Sequence, residues 1–285
     1  MKKSEKWKRG LPYVGNKGQL ASDIIDILPT GSRLVDVFGG GGSISLHAYD
    51  SRKWDEIVYN ELNKSVFALF KELTSGNSGI DFFDFIIPKR EELKKLVERY
   101  KHDTLSVEDT VKLIAWSFSN NMKDFLWSRK CEGGQASTEQ LKIEFTKECF
   151  ESYGKRDSIE NFSDYCRKMG KKQLQQLQRL QQLERLQQSN PLIICSSLDY
   201  KQVQLSEDDV VYLDPPYAHS EPSLSMYKEV FNNDEFIEWY QSLPNEHIYI
   251  SGYEQLPNTE IVYRKVKHSM TAKGTRRQEL LMKRK

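Results

Sequence analysis

Short apolar runs alternate with helical periods near the start of the chain and predict strands and helices there. The apolar run at residues 34–38 ends at four glycines, residues 39–42, and apolar positions at helical spacing follow. A second strand is predicted at residues 56–60 and a second helix at residues 64–73. Strand, helix and strand in this order predict parallel strands with helices on the faces of the sheet.

The strand pattern returns toward the carboxyl end of the chain. Residues 192–195, 210–213 and 248–250 are almost wholly apolar, which predicts strands that are buried on both faces. Residues 261–266 and 279–285 flank a turn with a glycine and predict a terminal hairpin. The predicted fold class is therefore α/β.

The stretch between these two regions is mainly helical. Helices are predicted at residues 89–100 and 110–118, where the strand pattern is absent. We therefore expect a core made of residues 1–74 and 191–285, interrupted by a helical insertion at residues 75–190.

Composition is that of a soluble globular protein. Apolar residues make up 38% of the 285 residues and aromatic residues 11%, which is enough for a core and excludes global disorder. No run approaches the ~18 apolar residues of a membrane span, and the start has no signal-peptide pattern, so we expect a cytoplasmic protein. The four cysteines form no Cys-x-x-Cys pair, which argues against a disulfide scaffold or a zinc ribbon.

The formal net charge of +1 hides an uneven distribution. Residues 1–17 carry a net +5 and residues 260–285 a net +7, which leaves −11 on the rest of the chain. Two basic ends on an acidic body predict a basic face if the fold brings them together. The simpler interpretation is that both ends are merely solvated.

The glycine turn after the first predicted strand is the first candidate site. Glycines there allow the backbone to approach a ligand and direct helix N–H groups at it. Glu61 follows the next predicted strand, about 20 residues further on, where an acidic side chain suits ribose hydroxyls. These residues fit a dinucleotide as well as S-adenosylmethionine, and the glycines could also form nothing more than a tight turn.

The second candidate site is the turn formed by Asp214, Pro215, Pro216 and Tyr217, directly after a predicted buried strand. The prolines end the strand and fix a rigid bend at the carboxyl edge of the sheet, where α/β proteins bind ligands. The Asp214 carboxylate and the Pro215 carbonyl can accept hydrogen bonds from one exocyclic amine, and the Tyr217 ring can stack on a base. Because such acceptors make the amine lone pair available for attack on a sulfonium methyl, the turn favours S-adenosylmethionine. The alternative is an incidental Pro-Pro turn.

With both motifs in this order, the chain resembles the alpha group of DNA adenine-N6 methyltransferases, the DNA adenine methylase type. The resemblance implies a Rossmann-like methyltransferase fold, with a mostly parallel seven-stranded sheet, a terminal antiparallel hairpin and a helical target-recognition insertion. It also implies site-specific transfer of a methyl group from S-adenosylmethionine to the N6 amine of adenine in double-stranded DNA, with base flipping. The implied catalytic residues are Asp214, Pro215, Pro216 and Tyr217.

The same resemblance implies a set of cofactor contacts and no metal. Lys17, in an aromatic-x-Gly-x-Lys motif, and its neighbours would hold the methionine carboxylate, and the glycine motif would contact the methionine end. Glu61 takes the ribose-binding place and Asp199 that of the acidic residue near the cofactor adenine. The implied cofactor-binding residues are Tyr13, Lys17, Asp36, Phe38, Gly40, Gly42, Glu61 and Asp199.

Residues 116–130 are the best candidate for reading DNA. They interleave amides, basic side chains and aromatics, the types that read base edges, hold phosphates and fill gaps left by extruded bases. A core helix followed by a hydrophobic turn is the rival interpretation. Residues 218–232 form a polar segment that either closes over the flipped base or is a surface loop. The predicted DNA-binding residues are Asn120, Asn121, Lys123, Arg129, Lys273, Arg276 and Arg277.

Other functions remain open at this point. An RNA base-amine or cytosine-N4 methyltransferase is the nearest alternative, because similar turns serve those amines. A module that only binds DNA would be expected to have lost Asp214 or the glycine loop, and a nicotinamide dehydrogenase would leave the Asp214 turn without a role. We expect a monomer that binds double-stranded DNA and no membrane. A cognate restriction endonuclease, if there is one, would be a genetic rather than a physical partner.

Overall fold

The chain folds into two compact units, seen here in a computed structural model. The larger unit holds Lys17–Phe67 and the described residues after residue 188, and the smaller holds Gly10–Asn16 and the described part of Ala68–Gln188. The expected division into residues 1–74 with 191–285 and residues 75–190 stays a prediction. The structure describes residues 10–11, 13, 15–75, 90–117, 121–123, 192–216, 231–268 and 276–285.

A seven-stranded sheet is the centre of the larger unit, and its strands pair in the order β3-β2-β1-β4-β5-β7-β6. Strands β1 to β5 pair in parallel, whereas β7 is antiparallel to both β5 and β6. This confirms the α/β fold class, the mostly parallel sheet and the terminal hairpin. The strands are β1 (Arg33–Asp36), β2 (Glu56–Asn60), β3 (Leu192–Ser196), β4 (Val210–Leu213), β5 (His247–Gly252), β6 (Thr259–His268) and β7 (Arg276–Arg284).

Polar side chains cap the N-termini of some of the described helices. Ser106 accepts a hydrogen bond from the Asp109 backbone N–H at 3.1 Å, and Asn232 accepts one from that of Glu235 at 3.2 Å. None of the helices in the described ranges has the length and apolar content needed to cross a membrane. The helices are α1 (Ala21–Ile27), α2 (Ser43–Ser51), α3 (Lys64–Thr74), α4 (Arg90–Lys101), α5 (Val107–Trp116) and α6 (Asn233–Ser242).

Strand β3 departs from its prediction. The apolar run at residues 192–195 predicts burial on both faces, and this is wrong, because Leu192 is 57% and Ile194 40% exposed. Strand β3 pairs with β2 on one side and is an edge strand of the described sheet. The central strands β1 and β4 do carry apolar side chains that are fully buried. An apolar run indicates a strand but does not distinguish a central strand from an edge strand.

The order of the strands fixes where a ligand can enter. From β1 the chain proceeds to β2 and β3 on one side of the sheet, and β4 and β5 lie on the other. In α/β sheets such a reversal leaves a crevice outside the carboxyl ends of the strands. Asp36 is the last residue of β1 and Asp214 follows β4, so both lie at this edge.

Candidate active site

The glycine loop after β1 is shaped by the end of β2. The Gly39 backbone N–H donates to the Asn60 carbonyl at 2.7 Å, and the Tyr59 hydroxyl donates to the Gly40 carbonyl at 2.7 Å. A Cβ atom on Gly39 would overlap the Tyr59 ring and lie 3.0 Å from the Asn60 carbonyl oxygen. Gly40 and Gly42 have positive φ angles of 50° and 72°, which favour glycine. The loop therefore has one tightly determined shape, with backbone at its surface.

Glu61 is buried beside this loop. Its Oε2 accepts a hydrogen bond from the Gly40 N–H at 2.7 Å, and its Oε1 accepts one from the Asn63 N–H at 2.7 Å. Burial raises the pKa of Glu61 to about 7, although both hydrogen bonds act to lower it. Each carboxylate oxygen has a second lone pair, so this side chain can still accept hydrogen bonds from a ligand's hydroxyl groups.

Asp36 is the second buried acid at this edge. The Ser45 hydroxyl, in the first turn of α2, donates to its Oδ2 at 2.7 Å. Burial raises the pKa of Asp36 to about 7; the Ser45 hydrogen bond opposes the rise, and the charges of Asp214 and Glu61 add to it. A cationic group of a ligand would favour the ionised form of this carboxyl.

Lys17 lies between two carboxylates. Its Nζ is 2.6 Å from Oδ2 of Asp214 and 3.0 Å from Oε1 of Glu279 on β7. The side chains of Lys17 and Glu279 are 5% and 3% exposed, and that of Asp214 is 15% exposed. Burial alone would lower the pKa of Lys17, but the charges of Asp214 and Glu279 outweigh burial and raise it. The site therefore contains a permanent ammonium ion, and Asp214 is the most accessible of the three groups.

The strand that carries Asp214 is also held on its β5 side. Tyr212, two residues before Asp214, shares a buried hydrogen bond of 2.6 Å between its hydroxyl and that of Ser251 on β5. Pro215 is buried and Pro216 half-buried directly after Asp214. Because prolines fix φ, the backbone leaving the strand is rigid at the point where the carboxylate is presented.

Asn60 is a buried residue at this edge of the sheet that the sequence analysis did not single out. Its Nδ2 donates to the carbonyls of Val37 and Leu198, each at 3.0 Å. Its Oδ1 accepts from the Ser196 hydroxyl at 2.8 Å and from the Leu198 N–H at 2.9 Å. One buried amide thus ties together the ends of β1, β2 and β3. A polar residue at the end of an apolar strand, just before Glu61, was the available signal.

Asp199 follows the segment that Asn60 holds. Its carboxylate accepts a hydrogen bond from the Lys201 backbone N–H at 2.9 Å and caps the short 3₁₀ turn Tyr200–Gln202. Tyr200 packs against Phe38 of the glycine loop, with ring centroids 5.6 Å apart. The Phe38 ring also lies 6.0 Å from that of Phe231. Aromatic packing therefore fixes the glycine loop relative to the turn that carries Asp199.

The remaining predicted site residues lie away from the glycine loop in sequence, and some of them lie outside the described ranges. Tyr13 is buried in the smaller unit. In that unit Asn121 also accepts a hydrogen bond through Oδ1 from the Lys123 N–H at 2.9 Å. Arg276 and Arg277 lie on β7 opposite His268 and Lys267 of β6. Predicted site residues outside the described ranges are Tyr217, Asn120, Arg129 and Lys273, together with residues 218–230 of the polar segment.

The chain was compared with models of protein families. Residues 13–253 match the model of a family described as D12 class N6 adenine-specific DNA methyltransferase. The match covers more than half of the chain and includes the glycine loop, Glu61, Asp199 and the Asp214 turn. Strand β7 and Glu279 lie beyond its end.

Proposed function

Since the chain belongs to the D12 class N6 adenine-specific DNA methyltransferases, we propose that S-adenosylmethionine binds at the carboxyl edge of β1 and β2 and that the Asp214 turn holds the target amine. The family methylates adenine N6 in DNA, and nothing favours the cytosine-N4 or RNA alternatives. The observation that carries the proposal is the set of carboxylates at one edge of the sheet: the buried Asp36 and Glu61 beside the glycine loop, and the half-buried Asp214 after β4.

The residues at the glycine loop fit this cofactor. Asp36 is a buried acid whose carboxylate would pair with the cationic amine of the methionine moiety. Glu61 can accept hydrogen bonds from ribose hydroxyls. The loop backbone carries no side chains at Gly40 and Gly42, which allows the close approach of a ligand. Asp199 lies in the turn whose Tyr200 packs against Phe38, and it would contact the adenine end. The cofactor supplies the electrophilic sulfonium methyl.

The Asp214 turn would orient the amine. Its two N–H groups would donate hydrogen bonds to the carboxylate of Asp214 and the carbonyl of Pro215, which would direct the nitrogen lone pair toward the methyl group. As the nitrogen bonds to the methyl group, the sulfur–methyl bond would break and leave a neutral thioether, so the positive charge would pass from sulfur to nitrogen. The Asp214 carboxylate would stabilise this charge until the methylated amine releases one proton to water. Tyr217 would stack on the adenine, which must leave the base stack because its amine is engaged in pairing.

The proposed reaction is tested by following a labelled methyl group. Purified protein is incubated with methyl-labelled S-adenosylmethionine and duplex DNA of mixed sequence, and the DNA is digested to nucleosides. We expect the label in N6-methyladenine. Label found in N4-methylcytosine alone, or transfer to RNA and not to duplex DNA, would contradict the proposal.

The affinity for S-adenosylmethionine is expected to depend on pH. Because the pKa values of Asp36 and Glu61 are raised to about 7, both carboxyls are largely protonated below pH 7 and ionised above it. The cofactor's amine and hydroxyls favour the ionised forms, so binding releases protons and strengthens as pH rises. Linkage through one such group predicts about tenfold tighter binding at pH 8 than at pH 6.

Calorimetric titration in buffers of different ionisation enthalpy measures both the affinity and the protons released. Asp36→Asn should bind the cofactor more weakly and show a flatter pH dependence than the wild type. Equal affinity at both pH values, with no proton release by the wild type, would show that these carboxyls do not contact the cofactor.

A further inference from the structure

Glu279 is a buried acid to which neither motif assigns a role. It lies on β7, opposite Lys265 of the hairpin partner β6, and its side chain is 3% exposed. Its Oε1 is 3.0 Å from Nζ of Lys17, and the same Nζ is 2.6 Å from Asp214. The Lys17 ammonium therefore links Glu279 to Asp214, the carboxylate that is proposed to hold the target amine.

The charges of Lys17, Asp214 and Glu279 together affect the proposed reaction. Two carboxylates and one ammonium ion leave a net charge of −1 in a buried site. Without Glu279, Lys17 would neutralise Asp214, and the pair would have no net charge left for the amine. Interactions between charges are strong in such a site, because little water is present to screen them.

The net charge of these three side chains affects how well the positive charge on the amine is stabilised. In the proposed reaction the positive charge moves from sulfur to the amine nitrogen, whose N–H group donates a hydrogen bond to Asp214. Without Glu279, Lys17 would cancel the charge of Asp214, and Asp214 would stabilise the cationic amine less. With Glu279, Lys17 is shared between two carboxylates, and Asp214 stabilises the amine more. Among the described residues, Tyr212 on β4 also interacts electrostatically with Lys17, and Asp36 on β1 with Asp214.

We propose that Glu279 is a positioning residue for methyl transfer: by pairing with Lys17, it leaves the negative charge of Asp214 available to the target amine. The proposal rests on the proposed function of the Asp214 turn. Glu279 itself need not touch the substrate, because it acts through Lys17.

The test compares single-turnover rates of methyl transfer at saturating S-adenosylmethionine and DNA. Glu279→Gln keeps the shape of the side chain and removes its charge. We expect its rate to fall about 10- to 100-fold, with cofactor affinity changed by no more than about threefold. Glu260→Gln, which alters an exposed acid on β6, is the matched control and should leave the rate unchanged.

A double variant separates charge balance from structural support. In Lys17→Met/Glu279→Gln the ammonium that neutralises Asp214 in Glu279→Gln is gone, so Asp214 regains a net charge of −1. We expect this variant to transfer methyl groups faster than Glu279→Gln alone, although it has lost one more native side chain. Thermal unfolding of each variant in the presence of cofactor shows whether it is folded under the assay conditions.

Two results would overturn the proposal. The first is a Glu279→Gln variant that transfers at the wild-type rate, whatever its stability or its affinity for the cofactor. The second is a folded double variant that is slower than Glu279→Gln. Failure of the proposed function is a different result, because the wild-type protein itself would then transfer no label to adenine.

Discussion

Asp214→Asn is expected to lower the rate of methyl transfer by about 10³-fold or more while binding of S-adenosylmethionine persists. Asparagine keeps the size of the side chain but has no charge to stabilise the amine as it becomes cationic. The fold should tolerate the change, because Lys17 keeps Glu279 as a buried counter-ion at 3.0 Å. The loss should therefore appear in the rate of transfer at saturating cofactor and DNA.

Asp209 provides a matched control for this variant. It immediately precedes β4, just as Asp214 immediately follows it, and it is also buried in an ion pair, with Oδ2 2.6 Å from the guanidinium of Arg33. Asp209→Asn should lower stability and leave the rate of transfer by folded protein unchanged. If Asp214→Asn transferred methyl groups at a rate similar to that of Asp209→Asn, Asp214 would not be the acceptor of the target amine.

Lys17→Met is expected to destabilise the fold strongly. It removes the ammonium shared by Asp214 and Glu279 and leaves two carboxylates close together in a site with little water. Breaking a buried ion pair from one side costs about 3–5 kcal/mol, because a charge remains without its partner. The free energy of unfolding should fall by this amount at neutral pH.

The pH dependence of this loss has a defined sign. Because the pKa of Lys17 is raised, its stabilisation is fully present below the pKa of the unfolded chain and is lost only at pH values above that of the folded protein. In the variant, protonation of one carboxylate relieves the repulsion, so the destabilisation should be smaller at pH 5 than at pH 8. Urea unfolding followed by fluorescence at both pH values measures it.

Lys265→Met is the matched control for Lys17→Met. Lys265 pairs with Asp23 at 2.8 Å, but its side chain is 38% exposed. Exposed ion pairs contribute about 0–1 kcal/mol, so a small loss is expected. A Lys17→Met protein no less stable than Lys265→Met, or one equally destabilised at both pH values, would contradict the buried charge group described above.

The sheet could be predicted largely from local pattern. Strand β2 occupies residues 56–60 as predicted, because an apolar run with clear polar boundaries defines a strand without further information. The hairpin of β6 and β7 is also confirmed. The prediction that β3 is buried on both faces was wrong. Its place at the edge depends on how the strands pair and not on its own residues.

The two motifs of the site could be predicted from the sequence, but the ion pairs between its residues could not. The Asp214 turn and the glycine loop each have a local sequence pattern, and the family resemblance orders them. The pairing of Lys17 with both Asp214 and Glu279 joins residues near opposite ends of the chain, and no local pattern specifies it. The resemblance implies that Lys17 holds the methionine carboxylate; this stays a prediction, and its two observed partners give Lys17 a second role.

The predicted contacts to DNA stay predictions. Asn120, Arg129 and Lys273 lie outside the described residues, as does Tyr217. Asn121 and Lys123 are described, but the hydrogen bond between them is local and does not indicate which bases they would read. Base reading depends on the shape of the whole complex, which neither residue type nor spacing determines.

Single-molecule sequencing of DNA from a host that expresses the protein tests the central claim most directly. Genomes from cells that express the wild-type chain and from cells that express Asp214→Asn are compared for modified bases. We predict N6-methyladenine at one recurring sequence in the first genome and not in the second. N4-methylcytosine as the sole new modification, or N6-methyladenine at equal levels in both genomes, would contradict adenine methylation by the Asp214 site.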